Sequence, residues 1–201
     1  MWVIKLGGSL ANAEELPRWL DVIATAGGGK VVLVPGGGPW ADEVREAQKY
    51  ERFDDRVAHR KALRAMEQYG RVLAAMRPGF VVASSIVEIL EVLKTNQVPV
   101  WMPYEMVVAD PSIPENWDVT SDSLSAWLAG QLKLPTLVLV KSVEVGEADA
   151  ENTAARGLID PCFWEFAATA SCAVRILGKN RHEDFVRMLG QCIADLATHP
   201  G

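Results

Sequence analysis

The sequence predicts an α/β fold whose mainly parallel sheet is covered by helices on both faces. Three observations carry this. Short apolar runs alternate with longer stretches of helical spacing from one end of the chain to the other. Glycine-rich turns follow the first two of those runs at once. The chain has 201 residues, 49% hydrophobic and 23% charged, enough to bury a core without disulfides or a structural metal. A single domain over residues 1–201 is the expectation.

Trp2 to Leu6 reads as a buried strand, and Gly7-Gly8-Ser9 follow it. Asn12 to Ala26 spaces Leu16, Trp19, Leu20 and Ile23 as a helix does. Asn12 is placed to cap it, with Glu15 three residues on as in a capping box, and Gly27-Gly28-Gly29 ends it. Val31 to Val34 is a second buried strand, Pro35-Gly36-Gly37-Gly38-Pro39 the next turn, and Trp40 to Lys49 a helix. Phe53 to Met76 reads as a long helix, apolar at Val57, Leu63, Met66, Tyr69, Val72 and Leu73 and basic at Arg56, Arg60, Lys61, Arg64 and Arg71. Phe80 to Ala83 is a strand, and Ser84 or Ser85 caps a helix to about Lys94. Val98 to Met102 is a strand, and Asp110 to Trp117, with its two prolines, a loop. Thr120 to Leu132 is a helix capped by Thr120 or Ser121, and Thr136 to Val140 is the clearest strand of all. Glu144 to Arg156, polar and Ala-rich, reads as a mobile loop, before a last strand at Cys172 to Leu177 and a last helix at Glu183 to Leu196. There is no fixed-period repeat and no low-complexity linker.

The formal net charge of −6 disfavours a nucleic-acid partner. Cys162, Cys172 and Cys192 are odd in number and form no CxxC pair, so neither a disulfide framework nor a cysteine-built zinc site is expected. The longest apolar-rich run, Pro78 to Leu93, is broken by Ser84, Ser85, Glu88 and Glu91, too polar for a membrane span. The first residues show no basic export region. A cytoplasmic protein with no membrane partner is the expectation.

In parallel α/β sheets, ligands bind beyond the carboxyl ends of the strands. Gly7-Gly8-Ser9 and Gly36-Gly37-Gly38 both sit there, where glycine lets backbone N–H groups approach phosphate oxygens. Tight turns alone are the simpler reading of either one. Lys5, inside an apolar run, needs a charged partner, a ligand such as phosphate, or an edge-strand path to solvent. A GxxxxGK[ST] loop is absent, while Gly36-x-Gly38-x-x-Ala41 fits a dinucleotide turn without a strand-end acid at the right distance. A second cluster, Asp118 to Ser123, opens a helix with Asp118 and Asp122 four residues apart. Lys141 and Ser142 stand at the end of the clearest strand.

Lys5-Leu-Gly-Gly-Ser9, Pro35-Gly-Gly-Gly38, Asp118-Val-Thr-Ser-Asp122 and Val140-Lys-Ser-Val143, in this order over about the first 145 residues, resemble the amino acid kinase family. The resemblance implies a three-layer αβα sandwich of the carbamate kinase-like type and phosphoryl transfer from Mg-ATP. It implies that Lys5 contacts the group in flight, and that Gly7, Gly8 and Ser9 hold ATP phosphates. Gly36, Gly37 and Gly38 would hold the acceptor end, with Asp122 orienting the active-site lysine and Asp118 near the acceptor. Lys141, Ser142 and Val143 would lead to the nucleotide side. Many members carry a Gly-Gly-Met segment and a late lysine. Here the stretch reads Ala154-Ala-Arg-Gly-Leu-Ile-Asp-Pro-Cys-Phe163, without that lysine, so Arg156 or Lys141 is left to supply the charge.

Val57 to Ala62, Ala65 to Gly70, Trp117 to Asp122, Leu139 to Val143 and Gly157 to Pro161 are similar to a branch of that family that serves methanofuran biosynthesis. That branch phosphorylates a phosphate monoester, an (aminomethyl)furanmethyl phosphate, to the diphosphate. On this reading His59, on the face of Arg56 and Arg60, is the preferred substrate contact, beside a plain solvated helix face as the simpler alternative. Asp118 or Asp54 would meet an amine, and Trp40 and Trp117 would stack on a flat ring. A small-molecule phosphate substrate and a homo-oligomer are expected. A non-catalytic nucleotide-binding relative, a kinase for a carboxylate or a nucleoside monophosphate, and a nicotinamide oxidoreductase stand as alternatives.

Overall fold

The computed structural model describes residues 1–145 and 157–198, with side chains as far as Gln191; most of the expected loop from Glu144 to Arg156 lies outside the described residues. The strands are Trp2–Leu6 (β1), Val31–Pro35 (β2), Phe80–Ala83 (β3), Val98–Trp101 (β4), Thr136–Lys141 (β5) and Ala173–Gly178 (β6). They form one sheet in the order β3-β4-β2-β1-β5-β6, with every pair parallel. The helices are Leu16–Gly27 (α1), Gly38–Glu51 (α2), Asp55–Met76 (α3), Ile86–Lys94 (α4), Tyr104–Val108 (α5), Ser121–Gln131 (α6), Phe163–Ala170 (α7) and His182–Thr198 (α8).

β1 is central, paired with β2 on one side and β5 on the other. All five of its residues are buried, which explains its unbroken apolar reading around Lys5. Strand side chains alternate between faces. Trp2, Ile4 and Leu6 join the cluster that holds Trp19, Leu20 and Ile23 of α1 and Phe185 and Leu189 of α8. Val3 joins the opposite cluster, with Leu124 and Leu128 of α6 and Phe163 and Ala167 of α7. β5 alternates in step, Val138 and Val140 on the first face, Leu137 and Leu139 on the second. These two helix layers on one sheet are the three-layer sandwich. By the same alternation Lys5 and Lys141 belong to the α6 face.

α6 is buried on almost every side, from Ser121 to Ala126 and at Leu128 and Ala129. Small residues let it sit that deep. At Gly130 a Cβ would already lie 3.2 Å from Ala170 of α7. Thr120 is its N-cap, and Ser85 and Asp54 cap α4 and α3 through side-chain oxygens. Asp54, one of the two carboxylates suggested for an amine, therefore accepts from the Val57 N–H instead, at 2.8 Å.

The start of α1 corrects the sequence reading. The chain first closes a short 3-10 turn over Gly8–Leu10, and the helix begins at Leu16 with Pro17 in its first turn, not at a cap on Asn12. Glu15 is drawn away from a capping role by Lys179, 2.7 Å from its carboxylate. The short helix α5 was hidden inside what reads as a link from β4 to the proline loop. No described helix is long and apolar enough to cross a membrane.

The two glycine turns touch each other. A Cβ on Gly36 would stand 2.2 Å from the Gly8 nitrogen and 2.7 Å from its Cα, both backbone atoms that cannot swing aside. Gly36→Ala should therefore cost about 1–3 kcal/mol in a urea melt with an unchanged m-value. Gly190→Ala, where nothing lies within 4 Å, should be neutral or slightly stabilising. Equal melts for wild type and Gly36→Ala would refute this account of the turn contact.

Candidate active site

Three charged side chains meet at the carboxyl end of the sheet. Lys5 is the fourth residue of β1 and Lys141 the last of β5, and their shared face directs both toward the start of α6. Asp122 lies in the first turn of α6, where the helix N-terminus favours a negative charge. Lys5 Nζ donates to Asp122 Oδ1 at 2.8 Å, and Lys141 Nζ to Asp122 Oδ2 at 2.7 Å. The three are 4%, 8% and 5% exposed for Lys5, Lys141 and Asp122. Burying charge is costly unless it is paired and hydrogen-bonded, and here one carboxylate serves two ammonium groups. The cluster keeps one positive charge in excess.

Burial pushes the Asp122 carboxyl up, but the neighbouring Lys5 and Lys141 charges outweigh it and hold it below the usual carboxylate range. Burial, reinforced by the Lys5 charge, pulls Lys141 down to about 8 against the attraction of Asp122. Lys141 is thus a cation that lets go of its proton near neutral pH.

The glycine turns frame this cluster. Gly7 N–H donates to Val140 O at 3.0 Å, so its own donor is spent on β5, and a Cβ there would lie 4.0 Å from Lys5 Nζ. A Cβ on Gly8 would meet the Gly38 nitrogen at 2.5 Å. Only bare backbone fits between the two turns, and bare backbone N–H groups are what oxyanions bind. Ser9 Oγ donates to Ser142 Oγ at 2.8 Å, joining the first turn to the end of β5. Val143 follows, exposed. The residues suit a polyphosphate: glycine backbone on one side, and buried ammonium groups exceeding carboxylate on the other. Among the described residues no group of three or more His, Cys, Asp or Glu could hold a metal ion.

Beside the cluster is a cavity of about 240 Å³, walled by Gly8, Ser9, Gly37, Gly38 and His59 at its polar end and by Leu63, Met66, Val119 and Leu124 at its apolar side. Gly36 lies buried behind this wall. His59 Nδ1 lies 3.1 Å from the Asn116 carbonyl, which must accept, so the proton sits on Nδ1. Burial lowers the His59 pKa, keeping the ring neutral, and Nε2 is buried without a partner. Asp118 is exposed and does not line the cavity. Arg56 and Arg60 are both taken by Glu115, and Lys61 lies over the Phe53 ring, so His59 alone of that basic stretch reaches the wall. Trp117 lines the cavity, as its position before Asp118 suggests, whereas Trp40 packs on Tyr69 with ring centroids 6.0 Å apart.

Sequence reasoning missed Arg45 and Asp42 of α2, which both line the cavity. The signal was present. Arg45 falls seven residues after Gly38 and four after Ala41, on the helix face that begins at the turn. Its guanidinium stacks on Trp117 at 4.3 Å from the ring centroid, and the Trp117 indole N–H donates to Gln48 Oε1 at 2.7 Å.

The two buried lysines give this arrangement a direct check. In ¹³C-lysine NMR, one ε-methylene should titrate near pH 8 and disappear in Lys141→Arg. Asp122→Asn should move that midpoint lower still, since the attracting charge is gone, and should cost about 3–5 kcal/mol of stability by leaving two buried ammonium groups without a counter-charge. A Lys141 midpoint above 10 would contradict the buried cluster.

Residues 1–77 match the model of the amino acid kinase family. Over 146 residues the chain is 26% identical to "[5-(aminomethyl)furan-3-yl]methyl phosphate kinase" of Methanocaldococcus jannaschii, a match covering 72% of this chain and 67% of that relative. Uridylate kinase from Archaeoglobus fulgidus superposes with a TM-score of 0.69 at 17% identity, covering 94% of this chain and 96% of that one. Isopentenyl phosphate kinase gives 0.59 at 17% identity, covering 94% and 96%. The structural likenesses show the fold. The family match covers the segment that carries Lys5, both glycine turns and His59. With that match, the curated relative and the shared three-layer fold, the chain is a phosphotransferase similar to the amino acid kinase family over residues 1–77.

Proposed function

We propose that this kinase transfers the terminal phosphoryl group of Mg-ATP to a small phosphate monoester, an (aminomethyl)furanmethyl phosphate, giving the diphosphate. The observation that supports transfer most is the buried Lys5–Asp122–Lys141 cluster beneath two glycine turns in contact. One turn would hold the nucleotide's phosphates and the other the acceptor's. An acceptor phosphate oxygen forms the new P–O bond as the bond to the departing ADP breaks, and ADP keeps that bond's electrons. Such transfer needs alignment and charge neutralisation rather than covalent help from the protein. Lys5 neutralises the moving group, Lys141 the side toward the nucleotide, and Asp122 fixes both. Mg²⁺ bound with the nucleotide would add charge neutralisation on the phosphates that the glycine turns hold. Lys141 supplies the charge that the late lysine provides elsewhere in the family; Arg156, the other candidate, lies outside the described residues.

The acceptor reading rests on the cavity. At about 240 Å³ it is smaller than the roughly 300–1,000 Å³ of pockets for drug-sized ligands. Its apolar side, Leu63, Met66, Val119 and Leu124, suits a flat ring, with the phosphate at Gly37 and Gly38 and His59 beside it. Asp42 is the carboxylate in the wall, and it replaces Asp118 and Asp54 as the partner for an aminomethyl group.

³¹P NMR with Mg-ATP and four acceptors tests this: the aminomethylfuran methyl phosphate, uridylate, isopentenyl phosphate and acetylglutamate. A diphosphate signal with the furan phosphate is expected, and Lys5→Ala should lose about 10²–10³-fold in kcat while staying folded. Transfer to another acceptor alone would discard the furan assignment, and transfer to none would favour a non-catalytic binding protein.

The pH profile is a separate check. Lys141 is lowered to about 8, so its charge is complete below that pH and lost as pH rises through it. The kcat/KM should therefore fall above about pH 8, and Lys141→Arg, charged throughout, should flatten that limb. A wild-type profile level to pH 10 would remove Lys141 from the mechanism.

A further inference from the structure

Asp160 is a buried carboxylate ahead of α7, 9% exposed, and it accepts four hydrogen bonds from the start of α6. Its Oδ2 takes the Thr120 N–H at 2.9 Å, the Thr120 hydroxyl at 2.7 Å and the Ser123 N–H at 3.0 Å. Its Oδ1 takes the Ser123 hydroxyl. The donors are the N-cap residue and a first-turn residue of the helix that carries Asp122, some 40 residues away in sequence. Thr120 caps α6 by accepting from the Asp122 N–H, and the same hydroxyl spends its one proton on Asp160. The hydroxyl is therefore locked with its lone pair toward Asp122. Just beyond, Cys162 N–H donates to Asp118 O at 3.3 Å, so the segment grips the approach to the helix as well.

We propose that Asp160 is a positioning residue of the transfer site, setting the rotation of the first turn of α6 through Thr120 and Ser123 and thereby where Asp122 holds Lys5 and Lys141. An ordinary N-cap needs one side-chain oxygen. Here a second carboxylate is spent on the same helix end, and a carboxylate buried there is costly unless it is hydrogen-bonded, as this one is by four donors. The charge also matters. The charged groups around Lys141 are Lys5 from β1, Asp122 from α6 and Asp160 ahead of α7, and Asp160 helps to hold the Lys141 proton.

The inference rests on the kinase reading, and its test separates the two. The variants are Asp160→Asn, which keeps shape but loses charge and acceptor capacity, Thr120→Val, which removes the hydroxyl relay, and Thr120→Ser, which keeps it. Each is assayed with Mg-ATP and the acceptor that wild type turns over. Lys141 is titrated by ¹³C NMR in the free proteins, a readout that holds even if wild type transfers to nothing. Asp160→Asn and Thr120→Val should lose about 10- to 100-fold in kcat with the KM for ATP within about threefold. Thr120→Ser should stay near wild type. Asp160→Asn should also lower the Lys141 midpoint and shift the alkaline limb of kcat/KM down with it. If Asp160→Asn does not fold, the Thr120 pair decides by the same kcat split. A folded Asp160→Asn with unchanged kcat and Lys141 midpoint, or a Thr120→Val as active as Thr120→Ser, would reduce Asp160 to a structural lock.

Discussion

One carboxylate bridging two buried lysines governs this structure. Asp122 is shared by Lys5 and Lys141 at 2.8 and 2.7 Å, inside a region closed to water. Neither lysine is tolerable there alone, because desolvating a lone ammonium costs more than the packing around it returns. The sheet must therefore place β1 beside β5 in a register that brings the fourth residue of one and the last of the other to one face. The helix above them must begin at that point. The remainder of the site is arranged around this requirement.

Small residues in α6 allow the helix to approach the sheet closely enough for Asp122 to reach both strands. Thr120 and Asp160 fix its first turn. The two glycine turns come together over the cluster because neither has a side chain to hold them apart. Beside the cluster this leaves a cavity with glycine backbone at one end and Leu63, Met66, Val119 and Leu124 along one side, with His59 held neutral and Arg45 braced on Trp117. Donors fixed in advance in a dry site need no reorganisation when charge develops on a transferring group. That is the physical basis on which a phosphotransferase operates with so few ionisable groups.

Asp160 faces inward to the first turn of α6. Positive charge comes from β5, at Lys141, whose burial keeps it near its titration point.

The sequence by itself determined the strand–helix alternation, the two glycine turns and the identities of the charged groups at strand ends. These are local: a buried parallel strand reads as an unbroken apolar run, and a turn without Cβ atoms needs glycine. It therefore showed Lys5, Lys141 and Asp122 one by one. Only the tertiary structure decided that they touch, since β1 and β5 are more than 130 residues apart and nothing periodic links them. The same holds for Asp160, legible only as an acid before a proline until α6 is packed against its segment. Basic residues on α3 looked alike in sequence, yet Glu115 claims Arg56 and Arg60, leaving His59 at the cavity. Arg45 and Asp42 passed unnoticed because a charged residue on an amphipathic helix reads as solvated until the facing wall is known. Spacing fixes which face of an element a residue takes; pairing across the fold fixes what that face meets.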